Sequence, residues 1–254
     1  MKSKSLTIAV VTVLLATACG GKQGSEQAAS GNSDDGTEQN EPGDSTVYGL
    51  ACDGCTDTLL VFLPRSGGDP DTFNILDAMK AHHVFGRPMI GDKVAVVLNH
   101  DNAKVADMVI DMEQLKGEWC YMVKPKLRQR VGMSQEHQQE MMQHNDSMLQ
   151  KLMQPREYGM EIKSDYTARP IGITYGATPD ENSPVEYPQT KSYREWRIFN
   201  GRLILNETHR DTTGVTTITN SDTAQFVLMR RDTLVLRFSN GEQQGYYRKS
   251  KDNK

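Results

Sequence analysis

The chain contains no Gly-x-Ser-x-Gly elbow, no His-Glu-x-x-His pair, no phosphate-cradling glycine loop and no dinucleotide fingerprint. These absences remove the common nucleophile, metal-hydrolase and nucleotide chemistries that short motifs reveal, so neither a reaction nor a cofactor is expected. Asp, Glu and His are plentiful, but none falls at a spacing that forces an acid/base pair together. Positive charge is also short: 29 Lys and Arg against 33 Asp and Glu give a net charge of -4, and no basic patch offsets it. A nucleic-acid partner is therefore not expected. Hydrophobic residues make up 37% of the 254, which is enough for a packed core but low for a compact enzyme, because the first forty-odd residues contribute nothing to one.

What is present begins with an address. Met1-Lys-Ser-Lys4 is positive, Leu6 to Leu15 is apolar but too short to span a bilayer as a helix, and Ala16-Thr-Ala-Cys19 places small residues before a cysteine. Leu15-Ala16-Thr17-Ala18-Cys19-Gly20 resembles the lipobox of bacterial lipoproteins. That resemblance implies a signal peptide over 1–18, cleavage before Cys19, and acylation (palmitate and similar chains) of that cysteine as a membrane anchor. Two or more acyl chains hold a protein stably on a bilayer. Loss of Lys2 and Lys4 with the leader takes the net charge to about −6. Residues 19–45 are Gly, Ser, Gln, Asp, Glu and Asn with almost nothing apolar, the composition of a disordered tether. Gly20 after the anchor cysteine is similar to lipoproteins sorted to the outer membrane, and Ser33-Asp-Asp35 resembles surface-export tags of Bacteroidetes lipoproteins. The expected location is the cell envelope, at the outer membrane.

Residues 46–116 form the first folded segment. Thr46 to Cys52 and Cys55 to Leu63 are β-prone runs around Asp53-Gly54, a pair favoured in two-residue type I′ turns. Such a turn opposes Cys52 and Cys55 at a Cα separation of roughly 5.5 Å, within disulfide range, in an oxidising compartment. A thiol redox motif and a soft-metal site are the alternatives; the first needs a helix N-terminus and the second two reduced thiolates. Asp71 or Thr72 caps an expected short helix to Met79, with Phe73, Leu76 and Met79 on one face. Pro88 to Leu98 and Lys104 to Met112 read as strands around the polar Asn99-His-Asp-Asn102 turn. Short strands and one helix predict a small β-roll or barrel, similar to an OB or SH3-type roll.

Residues 117–254 form the second. Strands are expected at Glu118–Lys124, Met160–Ile171, Ser192–Phe199, Arg202–Thr208, Val215–Asn220, Ala224–Arg230, Thr233–Phe238 and Gln243–Arg248, with Asn200-Gly201 and Asn240-Gly241 as turns. Eight antiparallel strands in sequence order close around a volume suited to side chains or one small ligand. Gly117-Glu-Trp119 at the start of the first strand, followed by this hairpin series, resembles the lipocalin-like domain of Bacteroidetes lipoproteins. The resemblance covers the second half of the chain and implies an up-and-down eight-stranded barrel that binds a small apolar or amphipathic ligand or a protein partner. The fold class expected for the whole chain is mainly β. Cys120 reads as a buried strand thiol.

Between the first two strands of this segment, 134–153 has no glycine or proline and reads as an inserted helix capped by Ser134. Met141, Met148, Leu149 and Leu152 share one of its faces, an apolar stripe suited to a lid over the barrel mouth, where Trp119 and Trp196 are further candidate ligand contacts. The same wheel aligns His137, Met141, His144 and Met148, a set soft enough for Cu(I). The two histidines stand ~10 Å apart along the axis, so one ion reaches only a neighbouring pair. Two other outcomes stay open: a non-catalytic interaction lipoprotein with filled barrels, and soft-metal handling.

Overall fold

The computed structural model describes residues 42–128, 151–173 and 185–249, all within the compact unit Gly36–Lys254. Its first half is a six-stranded sheet. β1 (Thr46–Ala51), β2 (Leu59–Pro64), β3 (Asp71–Asn74), β4 (Val84–Phe85), β5 (Lys93–Leu98) and β6 (Ala106–Asp111) lie in the order β3-β2-β1-β5-β6-β4. A parallel bridge from Asn74 to Val105 brings the β3 edge round to the residue before β6, so the sheet curls into a roll. Leu60, Phe62, Phe73, Val94, Val96 and Val109 fill it. Val94-Ala95-Val96 is buried without alternation because both faces of β5 are covered, the inner by the roll and the outer by the second half of the chain.

Two local expectations fail in this roll. The Asp53-Gly54 turn does not pair Cys52 with Cys55; the observed register is Ala51↔Phe62, Leu50↔Leu63 and Gly49↔Pro64. A two-residue turn would oppose Ala51 to Thr56 and Leu60 to Val47; the observed loop is longer, and the Thr56 hydroxyl closes it by accepting from the Thr58 and Leu59 N–H groups. Leu60 and Phe62 are buried in the roll core. Both thiols are unbonded, with Cys55 Sγ 3.1 Å from the Cys52 carbonyl oxygen. The helix expected to begin at Asp71 or Thr72 is a strand first. β3 pairs with β2 through Leu60↔Phe73, and α1 (Leu76–Lys80) starts only after Asn74 Oδ1 accepts from Leu76 N–H. Phe73 is buried as a strand residue, while Leu76 and Met79 remain exposed.

α2 (Met112–Leu115), capped by the Asp111 carboxylate, leads into the second half. There β7 (Gly117–Val123), β9 (Arg156–Ile162), β10 (Ala168–Ile171), β12 (Tyr193–Phe199), β13 (Arg202–Arg210), β14 (Thr216–Met229), β15 (Thr233–Phe238) and β16 (Gln243–Arg248) form one antiparallel sheet in the order β10-β9-β7-β16-β15-β14-β13-β12. β8 (Lys126–Leu127) and β11 (Val185–Glu186) pair with each other beside it. First and last strands meet through Cys120↔Tyr247 and Trp119↔Arg248, and a bridge from Thr167 to Glu195 spans the remaining gap. The result is the expected mainly β architecture, a nearly closed eight-stranded up-and-down barrel after a smaller sheet.

The strand count matches the sequence reading through two compensating differences. Met160–Ile171 is two strands, because Asp165 Oδ1 accepts from the Thr167 N–H and hydroxyl and turns the chain at Tyr166. Val215–Asn220 and Ala224–Arg230 are one strand of 14 residues, whose polar first half pairs only with β13. The Asn200-Gly201 turn has φ of 48° and 68°, the two left-handed residues a type I′ turn demands.

The two ends of the barrel differ. α2, the β9–β10 turn and the Asn200-Gly201 turn are at one end, which the roll plugs: Phe85, Ala95, Ile110 and Met112 share a core with Trp119, Trp196, Leu203, Phe226 and Leu234. Phe85 packs on Phe226 at 5.3 Å, and Tyr48 Oη lies 2.8 Å from the Ile198 carbonyl oxygen. Asp44 and Ser45, assigned above to the tether, are tied to this end: Asp44 Oδ1 accepts from Asn200 N–H at 2.8 Å, and Ser45 Oγ donates to Asn200 Oδ1 at 2.8 Å. Arg248 locks the seam. Its guanidinium stacks 4.1 Å from the Trp119 ring and donates to the carbonyls of Arg231, Lys116 and Gln114.

Candidate functional site

At the far end, between the β15–β16 turn, the start of β12 and residues 189–191 before it, the barrel holds a cavity of about 310 Å³. Alternation along β7 sends Trp119 inward at the plugged end and Tyr121 inward two residues higher. Tyr121 meets Tyr246 of β16 edge-on at 5.4 Å, and Tyr158 at 6.3 Å. Tyr193 joins them through an irregularity in the β12–β13 register between Tyr193 and Glu195, which re-aims a side chain that strict alternation from Trp196 would turn outward. Phe238 adds a further ring, and Gln189, Gln244, Asn240 and Glu242 supply amide and carboxylate groups to the lining.

One carboxylate organises the cup. Asp222 Oδ2 accepts from Lys191 Nζ at 2.5 Å and from the Tyr193 hydroxyl. Burial, then the Asp222 carboxylate, pushes the Tyr193 phenol far above the usual range, and burial does the same to Tyr246. Tyr121 is shifted the same way, burial outweighing its hydrogen bond with Thr190. All three therefore keep their protons at neutral pH, the Tyr193 proton being committed to Asp222. Among the described residues that line the cup there is no histidine or cysteine; those present offer hydrogen-bonding groups and ring faces.

The residues singled out from sequence are scattered. Trp119 and Trp196 are buried at the plugged end, with Trp119 Nε1 donating to the Leu115 carbonyl and Trp196 Nε1 to that of Lys163, so neither reaches the cup. Trp196, Leu203, Phe226 and Leu236 fill the interior, whereas Phe199 points away from it and lies under Arg197. An apolar molecule threading the whole barrel has no space, and what remains open is the mouth. Leu152 is partly buried at the mouth end, its carbonyl 3.1 Å from Tyr187 Oη. Cys19, His137, Met141, His144, Met148 and Leu149 lie outside the described residues. Among the described residues no group of three or more His, Cys, Asp or Glu could hold a metal. Cys120 is fully buried, and burial pushes its thiol up to about 11, consistent with an inert strand residue.

The cup residues Tyr121, Tyr193, Tyr246, Lys191 and Asp222 were not visible in the sequence as a group. Tyr121 carried a signal, two places after Trp119 on an alternating strand; Tyr193 carried none, because its inward aim depends on the register slip. Comparison with protein-family models, with curated proteins and with solved structures finds no match.

Proposed function

We propose that this chain is a lipid-anchored cell-envelope protein that binds a small amphipathic ligand in the mouth of its second barrel. The cup carries the reading: about 310 Å³, lined by aromatic rings together with amide and carboxylate groups, lies within the size range of small-molecule sites. Tyr121, Tyr246 and Phe238 suit an apolar ring or short chain, while Gln189, Gln244 and Glu242 suit hydroxyl or amine groups. The Leu15–Gly20 lipobox supports attachment through Cys19 and an outer-membrane location, and the absence of catalytic spacing supports binding without turnover.

Native mass spectrometry of the acylated protein extracted from its own cells tests both parts. The expected spectrum shows a thioether-linked diacylglycerol on Cys19 that Cys19→Ser removes, and a co-purifying small molecule whose occupancy falls roughly tenfold in Tyr246→Ala. A second reading, an interaction lipoprotein acting only through its surfaces, is favoured by the four interior side chains that fill the barrel. A ligand-free wild-type spectrum selects that reading.

A further inference from the structure

The cup at the barrel mouth holds a hydroxyl that the fold leaves unbonded. Tyr246 lines the cup with 9% of its surface exposed, and among the described residues its hydroxyl has no hydrogen-bond partner. What it meets is the Tyr121 ring, edge-on, and the field of the Glu242 carboxylate. A buried hydroxyl without a partner is costly, so a molecule in the cup that bonds to it satisfies a group the protein does not. Alternation along β16 places Gln244 on the same face as Tyr246, and Glu242 follows two residues on, in the turn before the strand. Phenol, carboxamide and carboxylate thus climb the lining at steps of roughly 7 Å. The Gln244 amide nitrogen donates to the Gly245 carbonyl at 2.7 Å, which leaves its oxygen as an acceptor. Glu242 Oε2 receives only a long contact from Asn240 Nδ2 at 3.4 Å. Lys191 Nζ donates to Asp222 at 2.5 Å and carries two further protons.

We infer that the cup binds the ring of a neutral saccharide, its hydroxyls bonded to Tyr246, Gln244, Glu242 and Lys191 and a C–H face laid on Tyr121 or Phe238. The inference rests on the mouth being a small-molecule site and names the class of that molecule. The mixture of groups selects it. An ammonium only donates, so it makes no use of the Lys191 protons; a carboxylate only accepts, and it meets the negative charge of Glu242. A hydroxyl does both. Several hydroxyls around one ring meet donors and acceptors that come from different strands, while the C–H face of the ring supplies the apolar area that aromatic side chains cover. A cavity of about 310 Å³ is at the small end of ligand sites and suits one or two such rings.

Saturation-transfer difference NMR and calorimetric titration of the full chain test it. The probes are the methyl glycosides of glucose, galactose, mannose and N-acetylglucosamine, compared with cyclohexylmethanol, a ring of similar size with one hydroxyl. The expected result is saturation of the ring C–H protons of at least one glycoside, bound roughly tenfold or more tighter than cyclohexylmethanol. Tyr246→Phe keeps the ring and removes only the hydroxyl. It is expected to weaken that glycoside roughly tenfold and to change cyclohexylmethanol less than about twofold. Its midpoint of thermal unfolding stays no lower than that of the wild type, because no bond within the protein is lost. Glycoside binding that Tyr246→Phe does not weaken, or a lowered midpoint in that variant, overturns the inference. So does the absence of any glycoside signal; cyclohexylmethanol binding that Tyr246→Ala abolishes would then leave the mouth a small-molecule site, and silence from that probe too, with a ligand-free native spectrum, would not.

Discussion

Arg248 does at one position what several weaker contacts would otherwise share. Three carbonyls at the ends of α2 and of β14 lie around its guanidinium, and the Trp119 ring covers its face. Arg248→Ala leaves these acceptors without a donor and is expected to cost about 2–4 kcal/mol of unfolding free energy. Arg248→Lys, which keeps the charge but loses the planar fork, recovers less than about half of that by urea denaturation. Beneath it, Asp111 is a buried carboxylate, and desolvation raises it to about 6. The folded state thus holds this proton more tightly than the unfolded chain does. The resulting stability is fully present below about pH 4 and is lost as pH rises to about 6. Asparagine keeps the cap to Gln114 N–H without the charge. Asp111→Asn is expected to stabilise the protein by on the order of 1–2 kcal/mol at pH 7 relative to wild type, and by little at pH 4, measured by urea titration at both values. Trp119 was legible in the sequence as the start of a barrel strand. Its partner Arg248 was not, because 129 positions separate them and only closure of the sheet brings them together.

Beyond the barrel rim, β13 and β14 continue as a two-stranded arm whose residues 209–220 are exposed throughout. Removing residues 210–216 and joining the strands through Asn-Gly is expected to shift the midpoint of thermal unfolding by less than about 3 °C, since an exposed hairpin end contributes little to the core. The sequence divided β14 in two because Asn220-Ser-Asp-Thr223 has turn composition; it lies instead in the strand where the exposed arm enters the barrel, with Asp222 turned into the cup. Elsewhere turn chemistry was decisive. Asn200-Gly201 formed the turn its residues specify because Ile198, Leu203 and Leu205 agree with that register. At Asp53-Gly54 the local preference was equally strong, yet the chain takes a longer loop closed by the Thr56 hydroxyl, with Phe62 rather than Thr56 opposite Ala51.

At the scale of the molecule, the roll and the barrel share one continuous core. Leu115, Ala95 and Ile110 are fully buried against barrel residues, so either half alone would expose a large apolar face. Unfolding is therefore expected as one transition: tryptophan fluorescence, which reports only the barrel residues Trp119 and Trp196, coincides with far-ultraviolet circular dichroism, which reports both halves. Two separated transitions would contradict the shared core. The mainly β class and the closing of the barrel by its first and last strands could be read from hairpin order. The plug could not, because Phe85, Ala95 and Ile110 look in sequence like ordinary residues of a small roll, and nothing in the linear pattern says which face of β5 meets a second body. The same plug sets a polarity. Asp44 and Ser45 are fastened at the end that the roll stoppers, so on the anchoring proposed through Cys19 the tether would join the molecule at its base, on the side opposite the cup.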